Sequence, residues 1–287
     1  MFFAHLIHPE GWRFVAIFAG ITILFSLFSP TLGWIGAILT GWCFYFFRNP
    51  ARVTPARDGL IISPADGKIV AVKEIVPPED WDIGTDPLVR VSIFLNVFDV
   101  HINRIPIKGT VRKVLYHAGK FFNASLDKAS DLNERNVIVL DLDDVTDCVT
   151  LGAEKIPAAP SKKSKKASEA LVEQKSGTEG DDTLNQFLNL NDGDASQSFV
   201  SAETGRRSMA FVQIAGLIAR RIRCDAKEGD KVNTGAIYGL IRFGSRMDVY
   251  LPKGANPLVI EGQRVLAGET VLADLQSSEP ARQGLIV

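Results

Sequence analysis

The chain has 287 residues, is 46% hydrophobic and carries 32 basic against 33 acidic side chains, a formal net charge of −1. That is enough apolar material for one sizeable core or two small domains, and the balanced charge gives no global basic field of the kind that draws nucleic acid. Its three cysteines, Cys43, Cys148 and Cys224, form no CxxC pair and no Cys/His cluster, so no metal centre is expected, a disulfide scaffold is disfavoured and a reducing compartment fits.

Residues 1–57 stand apart. Two apolar blocks, "WRFVAIFAGITILFSLFS" (12–29) and "WIGAILTGWCFYFF" (34–47), flank a turn at Pro30 and Gly33. Two blocks without a small-residue cleavage site do not make a signal peptide. Each is near the lower length limit for crossing a bilayer. Trp12, Trp34, Trp42 and Tyr45 sit near block ends, where interfacial anchors lie, and Arg13, Arg48, Arg52 and Arg57 flank the pair. The expectation is an N-terminal transmembrane helical hairpin in a bacterial inner (cell) membrane, with both ends and the following domain on the cytoplasmic face. A hairpin buried in a soluble core is disfavoured, because these blocks have no polar face to show to water.

From residue 58 the pattern becomes short β-like runs broken by Gly, Pro and Asp: "GLIISPADGKIVAVKEIV", "LVRVSIFLNVF", "GTVRKVLYH" and "NVIVLDL". The pattern resumes at "SMAFVQIAGLIARRIRC". The expected fold is a β-rich α+β domain, a compact β-sheet or β-sandwich built from 58–156 and 201–287. Between its halves, 157–200 is rich in Pro, Ala, Ser and Lys and then acidic, without apolar periodicity. It reads as a disordered insertion, and its lysine run at 162–166 as part of a solvated linker. One frame repeats: "EGDKVNTG" (228–235) and "EGQRVLAG" (261–268) share E-G-x-x-V-x-x-G. Such turns are found in hammerhead-like hairpins of domains that carry biotin or lipoate. A carrier module is therefore a rival reading, but it needs a lysine at an exposed hairpin tip, and Ser245-Arg246-Met247-Asp248 offers none.

Four stretches hold candidate chemistry. In "RFGSRMDVYLP" (241–251), Gly244 leaves its carbonyl uncrowded and Ser245 follows directly. A serine so placed either is structural or attacks the carbonyl behind it, by an N-to-O acyl shift that needs a base or strain nearby. In "SPADGKIV" (63–70), Asp66 is either a turn residue or an acid/base partner. In "FDVHINRIPIKGTV" (98–111), His101 gains weight from the scarcity of histidine, four in the chain, and from Asn103 and Arg104 close behind. "YHAGKFFNASLDKASDLNER" (116–135), with His117, Lys120 and Asn123, reads as a strand end and a long loop beside a site.

In this order, "SPADGKI", "FLNVFDVHINRIPIKG", "YHAGKFFNASLDKASDLNERN", "QIAGLIARRI" and "RFGSRMDVYLP" closely resemble the phosphatidylserine decarboxylases, and best their shorter bacterial and archaeal branch. The resemblance covers most of 58–155 and 205–275. It implies a proenzyme that splits between Gly244 and Ser245, with a β chain of 1–244, an α chain of 245–287 and a covalent pyruvoyl group derived from Ser245. That group would act as an electron sink while phosphatidylserine loses carbon dioxide to become phosphatidylethanolamine. His101 matches the family histidine proposed to protonate the product carbanion, and Asp66 matches the aspartate of the self-cleavage relay. Longer members carry a second histidine where this chain has Arg104, which stays protonated and is a poor base. The expectation is that Asp66 with His101 or His117 serves for self-cleavage, while Arg104, Lys120 and Asn123 contact the substrate. The expected partners are a phospholipid membrane, phosphatidylserine and the second self-cleaved chain, with a further homo-oligomer left open. A pyruvoyl decarboxylase acting on another amine-bearing substrate is the remaining alternative.

Overall fold

The computed structural model describes residues 6–122, 132–143, 207–216, 221–242 and 244–284. The insertion expected at 157–200 lies outside the described residues, as does Asn123.

Two helices come first. Helices α1 (Pro9–Ser26) and α2 (Pro30–Phe46) both open on a proline, at the position where a missing N–H costs no helical bond. His8 caps α1, its Nδ1 accepting from Glu10 N at 3.3 Å. The hairpin is closed at its base, where Ile7 bridges Arg48, His8 N donates to Phe47 O and Asn49 N donates to Leu6 O. Halfway along, the hydroxyls of Thr22 and Thr40 lie 3.0 Å apart. At the foot, Ile7, Cys43, Phe46 and Phe47 are buried together with Leu240 of the β domain. Beyond it the helices are apolar and exposed, from Ile17 through Leu27 and Phe28 at the tip to Ile38.

No helix among the described residues is long and apolar enough to cross a membrane. Helix α1 has 18 residues and α2 has 17, about 27 and 26 Å of helix at 1.5 Å per residue, against a hydrocarbon core of roughly 30 Å. The first turns of α1 also hold Glu10 and Arg13. The expectation of a spanning hairpin is therefore not supported.

The β domain contains β1 (Leu60–Ile62), β2 (Gly67–Ile75), β3 (Leu88–Leu95), β4 (Ile102–Arg104), β5 (Gly109–His117), β6 (Arg135–Leu142), β7 (Ser208–Ala215), β8 (Ile222–Cys224), β9 (Lys231–Val232), β10 (Ile237–Ile241), β11 (Ser245–Tyr250), β12 (Arg264–Val265) and β13 (Val271–Asp274). They form a large sheet, β12-β2-β3-β11-β7-β6-β5-β9, and two small ones, β4-β10-β8 and β1-β13, all antiparallel. Alternation along a strand divides the core. Val137 and Val139 of β6 join Trp81, Leu88 and Tyr250 on one face, and Ile138 and Leu140 join Phe211, Met247 and Val249 on the other. Ile61, Tyr238, Ile241 and Leu272 of the small sheets enter that second cluster. Three sheets thus share one core, and the β-rich expectation is met.

The repeated frame has a definite place. The large sheet reads β12-β2-β3-β11 from one edge and β9-β5-β6-β7 from the other, and the two frames supply the edge strands β12 and β9. Glu261 Oε1 accepts from Val72 N at 3.1 Å, and Glu228 Oε1 accepts from Val114 N at 3.0 Å. Each carboxylate sits just past a register shift, between Ile69 and Ala71 in β2 and between Val111 and Lys113 in β5. A bulge takes an N–H off the ladder, and the glutamate satisfies it. The following glycine N–H groups, of Gly262 and Gly229, donate to Ile69 O and Val111 O, both at 2.8 Å.

Candidate active site

Strand β10 ends at Ile241, and the chain re-enters the large sheet at Ser245. Gly244 makes the turn at φ +63°, a left-handed conformation that costs other residues about 1–2 kcal/mol. A Cβ there would meet nothing nearer than 3.9 Å, so the dihedral rather than the space favours glycine. Ser245 pairs with Leu95 of β3 and Ala215 of β7. It is fully buried, and its Oγ has no hydrogen-bond partner among the described residues. Burying an unpaired hydroxyl costs roughly 1–3 kcal/mol, so this atom calls for a reason.

His101, between β3 and β4, reaches the turn. Its Nε2 lies 3.2 Å from Gly244 N, and its Nδ1 lies 3.0 Å from Asp99 O. A backbone N–H only donates, so Nε2 carries the lone pair and Nδ1 the proton, which it donates to the Asp99 carbonyl. Burial pushes the imidazole down to about 4, although the Asp99 carbonyl and carboxylate pull the other way. His101 is therefore neutral at pH 7, with its Nε2 lone pair accepting from the Gly244 amide.

The hairpin and β12 hold this histidine in place. The Phe46 ring of α2 lies 4.5 Å from the His101 ring, centre to centre. Arg48 donates to Phe98 O at 2.7 Å. The Asp99 carboxylate accepts from Asn96 N at 2.9 Å and pairs with Arg264 of β12.

The other sequence-predicted residues fall in three places. Asp66 is buried in the turn before β2, with Oδ2 2.6 Å from Arg52 and Oδ1 accepting from Ala267 N at 2.8 Å. Both oxygens are engaged, and among the described residues neither is bonded to His101 or His117. Arg104 donates to Gly235 O at 2.9 Å and to Asn49 Oδ1 and Pro50 O at 3.4 Å each. Burial lowers its pKa, with Arg52 adding to the effect and Asp66 opposing it, so Asp66, Arg52 and Arg104 form one cluster behind the end of the hairpin. His117, at the end of β5, lies 3.8 Å from Asp80 and not at Ser245. Lys120 is exposed and bridges Asn133.

Several contributing residues were not singled out from the sequence. Asn133 is buried and donates to Ala215 O at 2.7 Å and to Phe122 O at 2.8 Å, tying the Lys120 segment to the residue opposite Ser245. Arg246 is wholly buried, bonded to Asp248 at 2.6 Å and to Ser92 Oγ at 2.7 Å. Its signal was present: Arg and Asp two apart in a strand share a face. Asp99 and Phe46 gave no such signal, because their roles depend on partners far away in the chain.

A left-handed glycine turn before a buried, unpartnered serine, with a neutral imidazole on its amide, suits self-cleavage and the pyruvoyl group that follows from it. The same chain matches the family model described as phosphatidylserine decarboxylase over residues 39–156 and 171–273. A phosphatidylserine decarboxylase proenzyme of Cereibacter sphaeroides is 46% identical over 96% of this chain and 93% of its own length. One of Paramagnetospirillum magneticum is 47% identical over 98% and 91%, and one of Rhodospirillum rubrum is 45% identical over 98% and 93%. These relatives are decarboxylases and lend no support to the carrier reading. The chain belongs to the phosphatidylserine decarboxylase family.

Proposed function

We propose that this protein is a proenzyme that cleaves itself between Gly244 and Ser245 and then decarboxylates phosphatidylserine to phosphatidylethanolamine. The observation that carries the reading is the unpartnered Ser245 Oγ behind a left-handed Gly244, with His101 Nε2 on the Gly244 amide. His101 Nε2 lets go of the Gly244 N–H and takes the Ser245 hydroxyl proton, and Oγ adds to the Gly244 carbonyl carbon. The C–N bond breaks, the nitrogen keeps a proton, and an ester joins the two residues. Loss of the Ser245 Cα proton and of the Gly244 carboxylate leaves dehydroalanine, and water then replaces the nitrogen, which departs as ammonia. The pyruvoyl group so formed supplies a carbonyl conjugated to an amide, an electron sink for the pair left behind when a carboxylate departs as carbon dioxide.

The chain's own residues do the rest. The buried β11 entry keeps water from the reacting end, where charge disperses as the carboxylate is lost. His101 Nε2 holds the proton to be returned at that end. Lys120 lies on a segment tied to Ala215, which supports a contact with the substrate headgroup, shared with Asn123. Arg104 is already committed to Gly235, Asn49 and Pro50, and its contact with substrate would require releasing one of them. The exposed apolar hairpin lies within one leaflet of the cell membrane, with the β domain on the cytoplasmic face beside the flanking arginines.

Purified protein added to phosphatidylserine vesicles should yield phosphatidylethanolamine by lipid mass spectrometry, and Ser245→Ala should yield none. Processed protein that leaves phosphatidylserine intact would sink the reading.

A further inference from the structure

Where the foot of α1 meets β8 and the end of β10, a cavity of about 680 Å³ opens. Four arginines line it, Arg13, Arg221, Arg223 and Arg242, against two carboxylates, Glu10 and Asp225. Glu10 pairs with both Arg223 and Arg242, the latter at 2.7 Å, and Asp225 pairs with Arg223 at 2.8 Å. The carboxylates are therefore used up on two of the arginines. Arg13 and Arg221 are exposed and make no ion pair among the described residues. Nε of Arg242 is buried without a hydrogen-bond partner among them. What remains is an excess of two positive charges and an unspent donor.

One wall of the cavity is apolar. Arg242 lies over the Phe14 ring at 4.9 Å, and Ile17, a turn further along α1, is 58% exposed. From Ile17 the apolar surface of the hairpin continues to its tip. A cationic floor that runs into an apolar helix fits an amphiphile with an anionic group. Guanidinium forks match the oxygens of a phosphodiester, and the volume is in the range of small-ligand sites. Arg242 follows Ile241, whose N–H donates to His101 O at 3.2 Å, so this floor adjoins the strand end that meets the candidate site.

We infer that this cavity binds the phosphodiester of the substrate glycerophospholipid, with an acyl chain along α1. Arg13 and Arg221 supply the free charge, and Glu10 holds Arg223 and Arg242 in place. The inference rests on phosphatidylserine being the substrate.

The test uses Arg13→Gln/Arg221→Gln, whose side chains are exposed and make no ion pair among the described residues, with complete processing verified by mass. On soluble dihexanoyl phosphatidylserine, KM should rise on the order of tenfold, the scale of a lost charge-assisted hydrogen bond, with kcat held within about twofold. Arg13→Lys/Arg221→Lys should recover part of the loss. Calorimetric binding of dihexanoyl phosphatidylglycerol, which has the phosphodiester and no amine, should weaken in parallel. An unchanged KM and unchanged phosphatidylglycerol affinity would overturn the inference. A loss confined to inorganic phosphate would overturn it too, by marking a free-anion site. Arginine-dependent phosphatidylglycerol binding without any wild-type turnover of phosphatidylserine would support the cavity as a phospholipid site and remove the substrate reading instead.

Discussion

His101 carries a pH signature because it is buried in its neutral form. Its ordinary value of 6.5 falls to about 4 in the folded chain. Between those values the unfolded chain binds more protons, so the stabilisation is complete above pH 6.5 and is lost as pH falls toward 4, on the order of 3 kcal/mol. Urea midpoints of Ser245→Ala protein at pH 7 and 4.5 should differ more than those of a Ser245→Ala/His101→Gln protein. Self-cleavage should likewise persist to about pH 5, abolished by His101→Gln and unaffected by His117→Gln. Cleavage would then change the histidine's surroundings, because the Gly244 carbonyl would become a carboxylate two bonds from the N–H that Nε2 accepts. A negative charge within about 4–6 Å favours the protonated imidazole. His101 should therefore titrate near 4 in Ser245→Ala and at higher pH in processed protein, followed by imidazole NMR. Equal values would contradict a base that turns into an acid. Ser245 and His101 stood out in sequence through the ordered set of motifs that contains them, and the fold brings the Gly244–Ser245 turn and His101 together. The pairing of Asp66 was not, because Arg52 and the Ala267 amide reach it from outside its motif.

Single side chains also set the geometry of whole elements. Glu228 and Glu261 each close a bulge in a long strand, so Glu228→Ala and Glu261→Ala should each cost about 1 kcal/mol, a net hydrogen bond, by denaturant midpoint. A loss at one position only would mean that the two edges are not equivalent. Helix α2 acts at the site through Phe46. Phe46→Ala should cost about 3–5 kcal/mol as a core truncation and slow self-cleavage, because His101 loses the ring that confines it. The repeated frame was visible as two turns, but its glutamates had no readable role, since a bulge belongs to the partner strand. The apolar hairpin was visible in composition. Whether it spans was not legible there, because the ends are set by partners outside the blocks: Glu10 bonds to Arg223 and Arg242, and Ile7 and Phe47 are buried in the foot.

Across the whole molecule, the Gly244–Ser245 bond opens onto a central strand. β11 is hydrogen-bonded on both sides from Ser245 to Tyr250, and β12 and β13 join β2 and β1. Cut there, the segment 245–287 would keep its strand pairing and stay part of the sheet. Size-exclusion chromatography of processed protein should give one particle, and strong denaturant should give two chains. Separation under native conditions would contradict this arrangement. The β-rich class was legible from strand periodicity, but the place of β11 between β3 and β7 was not, because strand order follows long-range pairing that no local pattern encodes.

The most direct measurement is the intact mass of the purified protein beside Ser245→Ala. The account predicts two chains that part between Gly244 and Ser245, the smaller one lighter by one ammonia than hydrolysis alone would leave it, and one uncut chain for the variant. A wild-type chain of full length, indistinguishable from Ser245→Ala apart from the substituted oxygen, would contradict it.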